Sequence, residues 1–111
     1  MTARETNNPV RYFAAKSDAD LREVCSTVGM EYGLPQFTFD VEDDWEYGFS
    51  EGAEIAVNVT KTQRLDSIST WMDNAPKDVN FQIILYGATR NNFEGLLRHT
   101  LSADIIEYSK S

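Results

Sequence analysis

The sequence predicts an α+β fold, an antiparallel β-sheet with helices packed mainly on one face. Residues 37–60 alternate apolar and polar side chains with a period of two, which is typical of half-buried strands. Residues 17–32 and 91–101 instead repeat apolar residues at intervals of three and four, the spacing of an amphipathic helix. A chain of 111 residues is expected to form one domain, residues 1–111, in which residues 1–9 are a flexible polar tail.

The expected order of elements is β-α-β-β-β-α-β-α-β. The first strand is expected at residues 10–15 (VRYFAA). Ser17 is expected to cap the first helix, because a serine hydroxyl can accept from the free backbone N–H groups of a helix start. Gly33 and Pro35 are expected to end that helix. Its buried stripe comprises Leu21, Val24, Cys25 and Val28.

Residues 37–60 are expected to form a three-stranded meander with one buried and one solvent-exposed face, joined by connections at 43–44 and 51–53. In this pattern three aromatic residues share one face of the middle strand: Trp45, Tyr47 and Phe49. The same alternation is expected to gather three carboxylates on the solvent face: Asp40, Glu42 and Glu46.

The second half of the chain is expected to alternate helices and strands. Residues 61–76 fit a second helix, whose apolar stripe would be Leu65, Ile68, Trp71 and Met72. Residues 79–86 form the most apolar run and are expected to be a central strand. Asn91 or Asn92 is expected to cap a third helix, and residues 103–108 to form the last strand. The buried face of that helix would carry Phe93, Leu96, Leu97 and Leu101.

The charge of the chain restricts the class of partner. The formal net charge is −8, and no lysine or arginine occurs between Arg22 and Lys61. Direct binding to nucleic acid or to an anionic membrane is disfavoured, because both present negative phosphates. The same charge favours fast capture of a cationic protein.

Catalytic and cofactor signatures are absent from the sequence. Cys25 is the single cysteine and is expected to be a core residue, and His99, the single histidine, a surface residue of a helix. No nucleotide-binding or nucleophile-elbow motif occurs. We therefore expect neither enzymatic activity nor a cofactor. The lack of a secretory leader, of a long apolar span and of paired cysteines predicts a cytoplasmic protein.

The most distinctive stretch is residues 40–54, DVEDDWEYGFSEGAE, in which seven of fifteen residues are acidic and none is basic. It differs from a calcium-binding loop because Trp45 stands where that loop requires glycine. A glycosidase site would require a cleft and a raised carboxyl pKa, which sequence does not reveal. A solvated sheet face and a protein-docking surface both remain open interpretations.

As a docking surface, this stretch would supply carboxylates that steer a basic partner and aromatic rings that anchor it. The residues expected to bind the partner are Asp40, Glu42, Asp43, Asp44, Trp45, Glu46 and Tyr47, with Glu51 and Glu54 at the rim. Trp45 and Tyr47 are equally consistent with a place in the core. The region around Trp71 and Asn74 is the second candidate for docking. No metal ligand is expected.

The chain resembles small bacterial immunity proteins of contact-dependent growth inhibition and other interbacterial competition systems. The resemblance lies in its size, its charge and two segments, DVEDDWEYGFSEGAE and STWMDNAPKDVNFQIILYG. The resemblance implies a cytosolic antitoxin that binds and neutralises one cognate basic toxin and has no catalytic activity of its own. The favoured class of toxin is a nuclease. Two alternatives stay open: a phage-type inhibitor of a restriction or CRISPR enzyme, and a small acidic secretion chaperone for a bacterial effector, which would dimerise.

Overall fold

The computed structural model describes residues 9–89 and 92–109. The strands of this part of the chain are β1 (Val10–Ala15), β2 (Thr38–Glu42), β3 (Trp45–Glu51), β4 (Ala56–Thr62), β5 (Phe81–Tyr86) and β6 (Ile106–Tyr108). The helices are α1 (Leu21–Tyr32), α2 (Ser67–Trp71) and α3 (Phe93–Leu101). Residues 1–8 of the expected tail and Asn91, one of two expected caps, lie outside the described residues.

The six strands form one open antiparallel sheet in the order β2-β3-β4-β5-β1-β6. The predicted α+β class and the predicted order of elements are confirmed. β5 lies between β4 and β1, as expected for its continuous apolar run. At the β6 edge, Arg11 donates two hydrogen bonds of 2.8 Å to the Glu107 carboxylate, which lowers the pKa of Glu107.

The register of the strands puts the main core between the sheet and the helices α1 and α3. Phe13 of β1 pairs with Ile83 of β5, which pairs with Val59 of β4, so the three side chains form one apolar row. All three are fully buried. We call this side of the sheet the helical face. The predicted stripes of α1 and α3 bury their apolar residues here, with Leu96 only partly covered.

The opposite side, which we call the open face, is covered at one end only by the part of the chain that the structure describes. The segment 66–79, which includes α2, packs Ile68 and Val79 against Ala14 of β1. Beyond this small cluster the face carries partly exposed apolar side chains: Val10, Phe49, Tyr86 and Ile106. Helices therefore cover mainly one face, as predicted, and the other face keeps a solvent-accessible aromatic surface.

The predicted second helix is wrong in extent. Residues 61 and 62 continue β4, and the helix is reduced to Ser67–Trp71. Ile68 and Met72 are buried as expected, whereas Trp71 is 59% exposed. The run Ile68-Ser69-Thr70-Trp71 consists of residues with modest helix propensity, and the pairing of β4 with β5 outcompetes helix formation at residues 61–62.

The predicted cap of α1 is also wrong. Asp20, not Ser17, is the N-cap, and its carboxylate accepts from the Glu23 backbone N–H at 3.2 Å. The Ser17 hydroxyl instead donates to the Leu101 carbonyl at 2.5 Å, joining β1 to the end of α3. At α3 the prediction of Asn92 is confirmed, since its side-chain oxygen accepts from the Gly95 N–H at 2.9 Å.

Gly48 of β3 lies on the helical face, where a side chain has no room. A Cβ at this position would stand 2.7 Å from the Cys25 sulfur and 3.1 Å from the Phe39 ring. We expect Gly48→Ala to lower the free energy of unfolding by about 1–3 kcal/mol through overpacking. Gly29→Ala in α1 is the control, because its Cβ would meet Phe37 at 3.4 Å and alanine favours helix. Urea unfolding measures both, and equal effects would contradict this packing argument.

Gln82 lies in the central strand, fully buried, and within the described residues neither atom of its amide has a hydrogen-bond partner. Gln82→Met, of similar shape, is expected to raise the free energy of unfolding by about 1 kcal/mol. Its cross-strand neighbour Thr60 donates to the Asn58 side chain at 2.8 Å. Thr60→Val is therefore expected to lower stability by about 0.5–1.5 kcal/mol. A loss of stability in Gln82→Met would show that a bound water satisfies the amide.

Candidate functional site

The β2–β3 hairpin turns through Asp43 and Asp44. Asp43 has a φ of 54°, in the left-handed region that aspartate tolerates better than most residues do. Such a turn suits a two-residue connection between antiparallel strands. The hairpin therefore exposes two adjacent carboxylates at its tip.

The faces of the hairpin differ from the sequence prediction. Asp40 pairs with Tyr47 and Glu42 pairs with Trp45, so these four residues share the open face. Glu46 pairs with Val41 and Lys61 on the helical face. The expectation that Glu46 joins Asp40 and Glu42 on the solvent face is therefore wrong. The two-residue connection already implied the pairing of Glu42 with Trp45, and that signal in the sequence was missed.

The aromatic residues of the hairpin contact one another and the short helix α2. The Trp45 and Tyr47 rings are nearly parallel, with centroids 6.4 Å apart and an interplanar angle of 5°. The Trp71 ring meets Trp45 at 66°, with centroids 5.8 Å apart. Trp45 and Tyr47 are half-buried, and Trp45 also packs against the small cluster beneath α2. The structure thus gives Trp45 both a packing role and an accessible surface.

These side chains enclose a shallow depression of about 240 Å³, lined by Glu42, Asp43, Trp45, Tyr47 and Trp71. We call the set formed by these five residues with Asp40 and Asp44 the acidic–aromatic surface. Burial, followed by the charges of Glu42 and Asp40, raises the pKa of the Tyr47 hydroxyl. A negative field raises a phenol pKa because it opposes the phenolate, and the same field attracts a cation.

The two expected rim residues lie elsewhere. Glu51 ends β3, and the span from Trp45 to Glu51 at about 3.3 Å per residue separates them by about 20 Å. Glu54 follows in the connection to β4 and is exposed. The structure therefore separates Glu51 and Glu54 from the tip of the hairpin, whereas it brings Trp71 of the second candidate region to Trp45.

Asn74, named with Trp71, is exposed and has a φ of 67°. The sequence pattern assigned Trp71 to a buried stripe, because it follows Ile68 by three residues. Trp71 is the last residue of α2, and its ring contacts the Trp45 ring and stays 59% exposed, whereas Ile68 and Met72 take the buried positions.

A second depression, of about 380 Å³, lies between α1 and the edge strand β2 on the helical face. Its lining is mostly apolar, and it includes Met30, which is 82% exposed. Arg22 lies over the Phe39 ring at 4.1 Å and closes part of this groove. An apolar groove beside an unpaired strand edge suits an extended peptide, as a secretion chaperone would require.

Cys25 and His99, the single cysteine and the single histidine of the chain, lie on different helices. Cys25 is fully buried on α1, and burial raises the pKa of its thiol to about 12. A thiol with this pKa is protonated at neutral pH and lacks the thiolate that acts as a nucleophile. His99 is exposed in the last turn of α3. Both positions agree with the structural roles expected for these residues.

Within residues 9–89 and 92–109, no three histidine, cysteine or acidic side chains converge as metal ligands would. In the same part of the chain no helix combines the length and the apolar character needed to cross a membrane. Comparisons with protein-family models, with curated proteins and with solved structures found no match to this chain.

The burial of Cys25 predicts a chemically inert thiol. At pH 8 a thiol reagent such as iodoacetamide is expected to alkylate the native protein more than about a hundredfold more slowly than the urea-unfolded protein, since only the opened state exposes the sulfur. Mass measurement over time provides the rates. An exposed-cysteine variant, Ser26→Cys, supplies the control, because Ser26 is exposed on the same helix. Equal native rates for the two thiols would contradict the buried position.

Proposed function

We propose that this protein is an inhibitor that binds a basic protein partner through the acidic–aromatic surface, and that it acts as a cytoplasmic immunity protein against a cognate nuclease toxin. One observation supports this proposal above the others. The hairpin register places carboxylates and aromatic rings on the same face, next to a third ring supplied by α2. Aromatic anchors surrounded by polar groups are typical of protein interfaces.

The carboxylates of this surface are available to a partner. Within the described ranges, the ion pairs are Arg11–Glu107, Arg64–Asp66 and Arg98–Glu94, and none uses a carboxylate of the acidic–aromatic surface. Unpaired surface carboxylates in a chain of net charge −8 produce a field that accelerates encounter with a positive patch. This supports a basic partner and disfavours nucleic acid as the direct ligand.

A nuclease fits this field because its substrate groove is positively charged. A row of carboxylates can occupy the positions that phosphates take in such a groove, and bound protein then excludes the nucleic acid. The resemblance to immunity proteins adds the expectation of one toxin partner. An inhibitor of a restriction or CRISPR enzyme would use the same surface and differ only in its target.

A secretion chaperone is the second candidate, and the apolar groove between α1 and β2 favours it. The two candidates use different faces of the sheet. The substitution Met30→Asp would place a charge in the apolar groove. Met30 lies on the helical face, opposite the acidic–aromatic surface, so the substitution would leave that surface unchanged. An inhibitor is therefore expected to keep its partner in this variant, and a chaperone to lose its client.

The proposal predicts a stoichiometric complex whose partner is toxic on its own. The tagged protein is first used to capture partners at low salt from the cells in which it naturally occurs, and the captured protein is identified. The partner is then expressed in a test bacterium with and without the proposed inhibitor. We expect growth arrest by the partner alone and restored growth with the inhibitor. A partner that is harmless alone, or whose toxicity persists in the presence of this protein, would contradict the immunity function.

Charge neutralisation at the hairpin tests the proposed surface. The triple variant Glu42→Gln, Asp43→Asn, Asp44→Asn keeps the left-handed turn, because asparagine also tolerates that conformation. Association with the purified partner, measured by stopped flow at low salt, is expected to slow about tenfold and to lose most of its salt dependence.

The matched control removes three exposed carboxylates elsewhere, through Asp18→Asn, Glu23→Gln and Asp104→Asn. It changes the net charge equally, so a local docking surface predicts an effect of less than about twofold on the association rate. Equal slowing by both triple variants would show that only net charge matters and that the partner docks elsewhere.

A further inference from the structure

We propose that the corner between Trp45 and Trp71 is a subsite for one arginine side chain of the basic partner. This inference rests on the proposed function, and it adds the chemical group that the central depression recognises. The corner is defined by the rings of Trp45, Tyr47 and Trp71 and by the carboxylates of Glu42 and Asp43, all of which line one depression of about 240 Å³.

The rings present π-faces from two directions. Trp71 meets Trp45 at 66° and Tyr47 lies parallel to Trp45, so a group entering the corner can contact more than one aromatic surface. The face of an aromatic ring is negative, and among the aromatic side chains indole attracts cations most strongly. Trp71 is 59% exposed, which leaves its ring accessible to a ligand.

The carboxylates add directional acceptors to the rings. Glu42 is paired with Trp45 across the hairpin, and Asp43 follows it in the turn. Both carboxylates are exposed, and neither forms an ion pair within the described residues. A cation in the corner would therefore contact ring faces and negative oxygens together, which is the arrangement that aromatic cages use for cationic ligands.

Within residues 9–89 and 92–109, no cation of the chain fills this corner. The cation–π pairs of the described residues are Arg11 on Phe13, Arg22 on Phe39 and Lys61 on Phe81. All three rings lie on the helical face of the sheet, so none of the cations in the described part of the chain covers Trp45, Tyr47 or Trp71.

The corner is held in place before a ligand binds. The Gln63 N–H donates to the Asp44 carbonyl at 3.1 Å and joins the segment before α2 to the hairpin turn. The Met72 N–H donates to the Ile68 carbonyl at 2.8 Å, and the Ile68 side chain of α2 is buried against Ala14 of β1. Trp71 therefore projects from an anchored turn, and less ordering entropy is lost when a ligand binds.

Arginine matches the corner better than lysine does. Its planar guanidinium can stack on an indole while its N–H groups donate to carboxylates, and it is more weakly hydrated than an ammonium. Lysine brings a strongly hydrated point charge that satisfies fewer of these contacts at once. Arginine is also among the residues that dominate interface energies.

The isolated protein provides the first test. N-acetyl-arginine methylamide is titrated into it, and the indole N–H signals of both tryptophans are followed by NMR. The neutral isostere N-acetyl-citrulline methylamide and the lysine analogue are the comparison ligands. We expect the arginine probe to shift the Trp45 and Trp71 signals saturably and to bind about tenfold more tightly than the citrulline probe, a difference of about 1.4 kcal/mol. Equal binding of arginine and citrulline, or tighter binding of lysine, would overturn the inference.

Variants at one exposed position provide the second test. Trp71→Phe keeps a π-face and Trp71→Leu removes it, and both are expected to fold normally because the side chain projects from the surface. The arginine probe should lose about tenfold in affinity with Trp71→Leu and only about threefold with Trp71→Phe. Equal affinity of the two variants would overturn the inference.

Applied to the complex, the same two variants separate this inference from the proposed function. If a toxic partner is captured and neutralised equally well by both variants, the function stands and the arginine subsite is wrong. If no such partner exists but the isolated protein discriminates arginine from citrulline, the immunity function fails and the subsite stands. In the supported case, Trp71→Leu weakens the complex about threefold more than Trp71→Phe, as it does for the arginine probe.

Discussion

The register of β3 against β2 and β4 is the constraint on which the rest of the structure depends. It places Gly48 beneath Cys25 and Phe39, where no side chain fits, and therefore fixes which alternate residues of β3 face the helices. A shift of one residue would move Trp45 and Tyr47 into the space under α1 and bring Glu46 to the open face. The packing of α1 and the composition of the open face thus follow from the same pairing.

The two faces of the sheet have different physical roles. The helical face holds a continuous apolar core that runs across the neighbouring strands β1, β5 and β4. Burial of this apolar surface supplies most of the free energy that opposes the conformational entropy of the unfolded chain. Among the described residues, the short α2 region is what covers the open face, which also carries buried polar groups such as Gln82 and partly exposed aromatic side chains. A face that is incompletely covered contributes less to stability, and its accessible rings are available for recognition.

The proposed surface combines long-range and short-range physics. Net charge and the run of carboxylates act over roughly a Debye length, about 8–10 Å at ordinary ionic strength, and govern encounter. In this proposal the rings of Trp45 and Trp71 act only on contact and would govern how long a partner stays bound. Glu51 and Glu54, at the far end of β3, belong to the long-range field but not to the contact region.

The sequence by itself determined the class of fold, the order of elements and the approximate positions of the strands, because period-two and helical spacings are local properties of the chain. It also indicated the acidic hairpin as the first candidate docking surface and the region around Trp71 as the second. Only the tertiary structure decided which face Glu46 occupies, that Trp71 lies beside Trp45, and that α2 shrinks to residues 67–71. The reason is physical: alternation gives the period of a strand, whereas its phase relative to its neighbours depends on pairing and on the space that Gly48 leaves for α1.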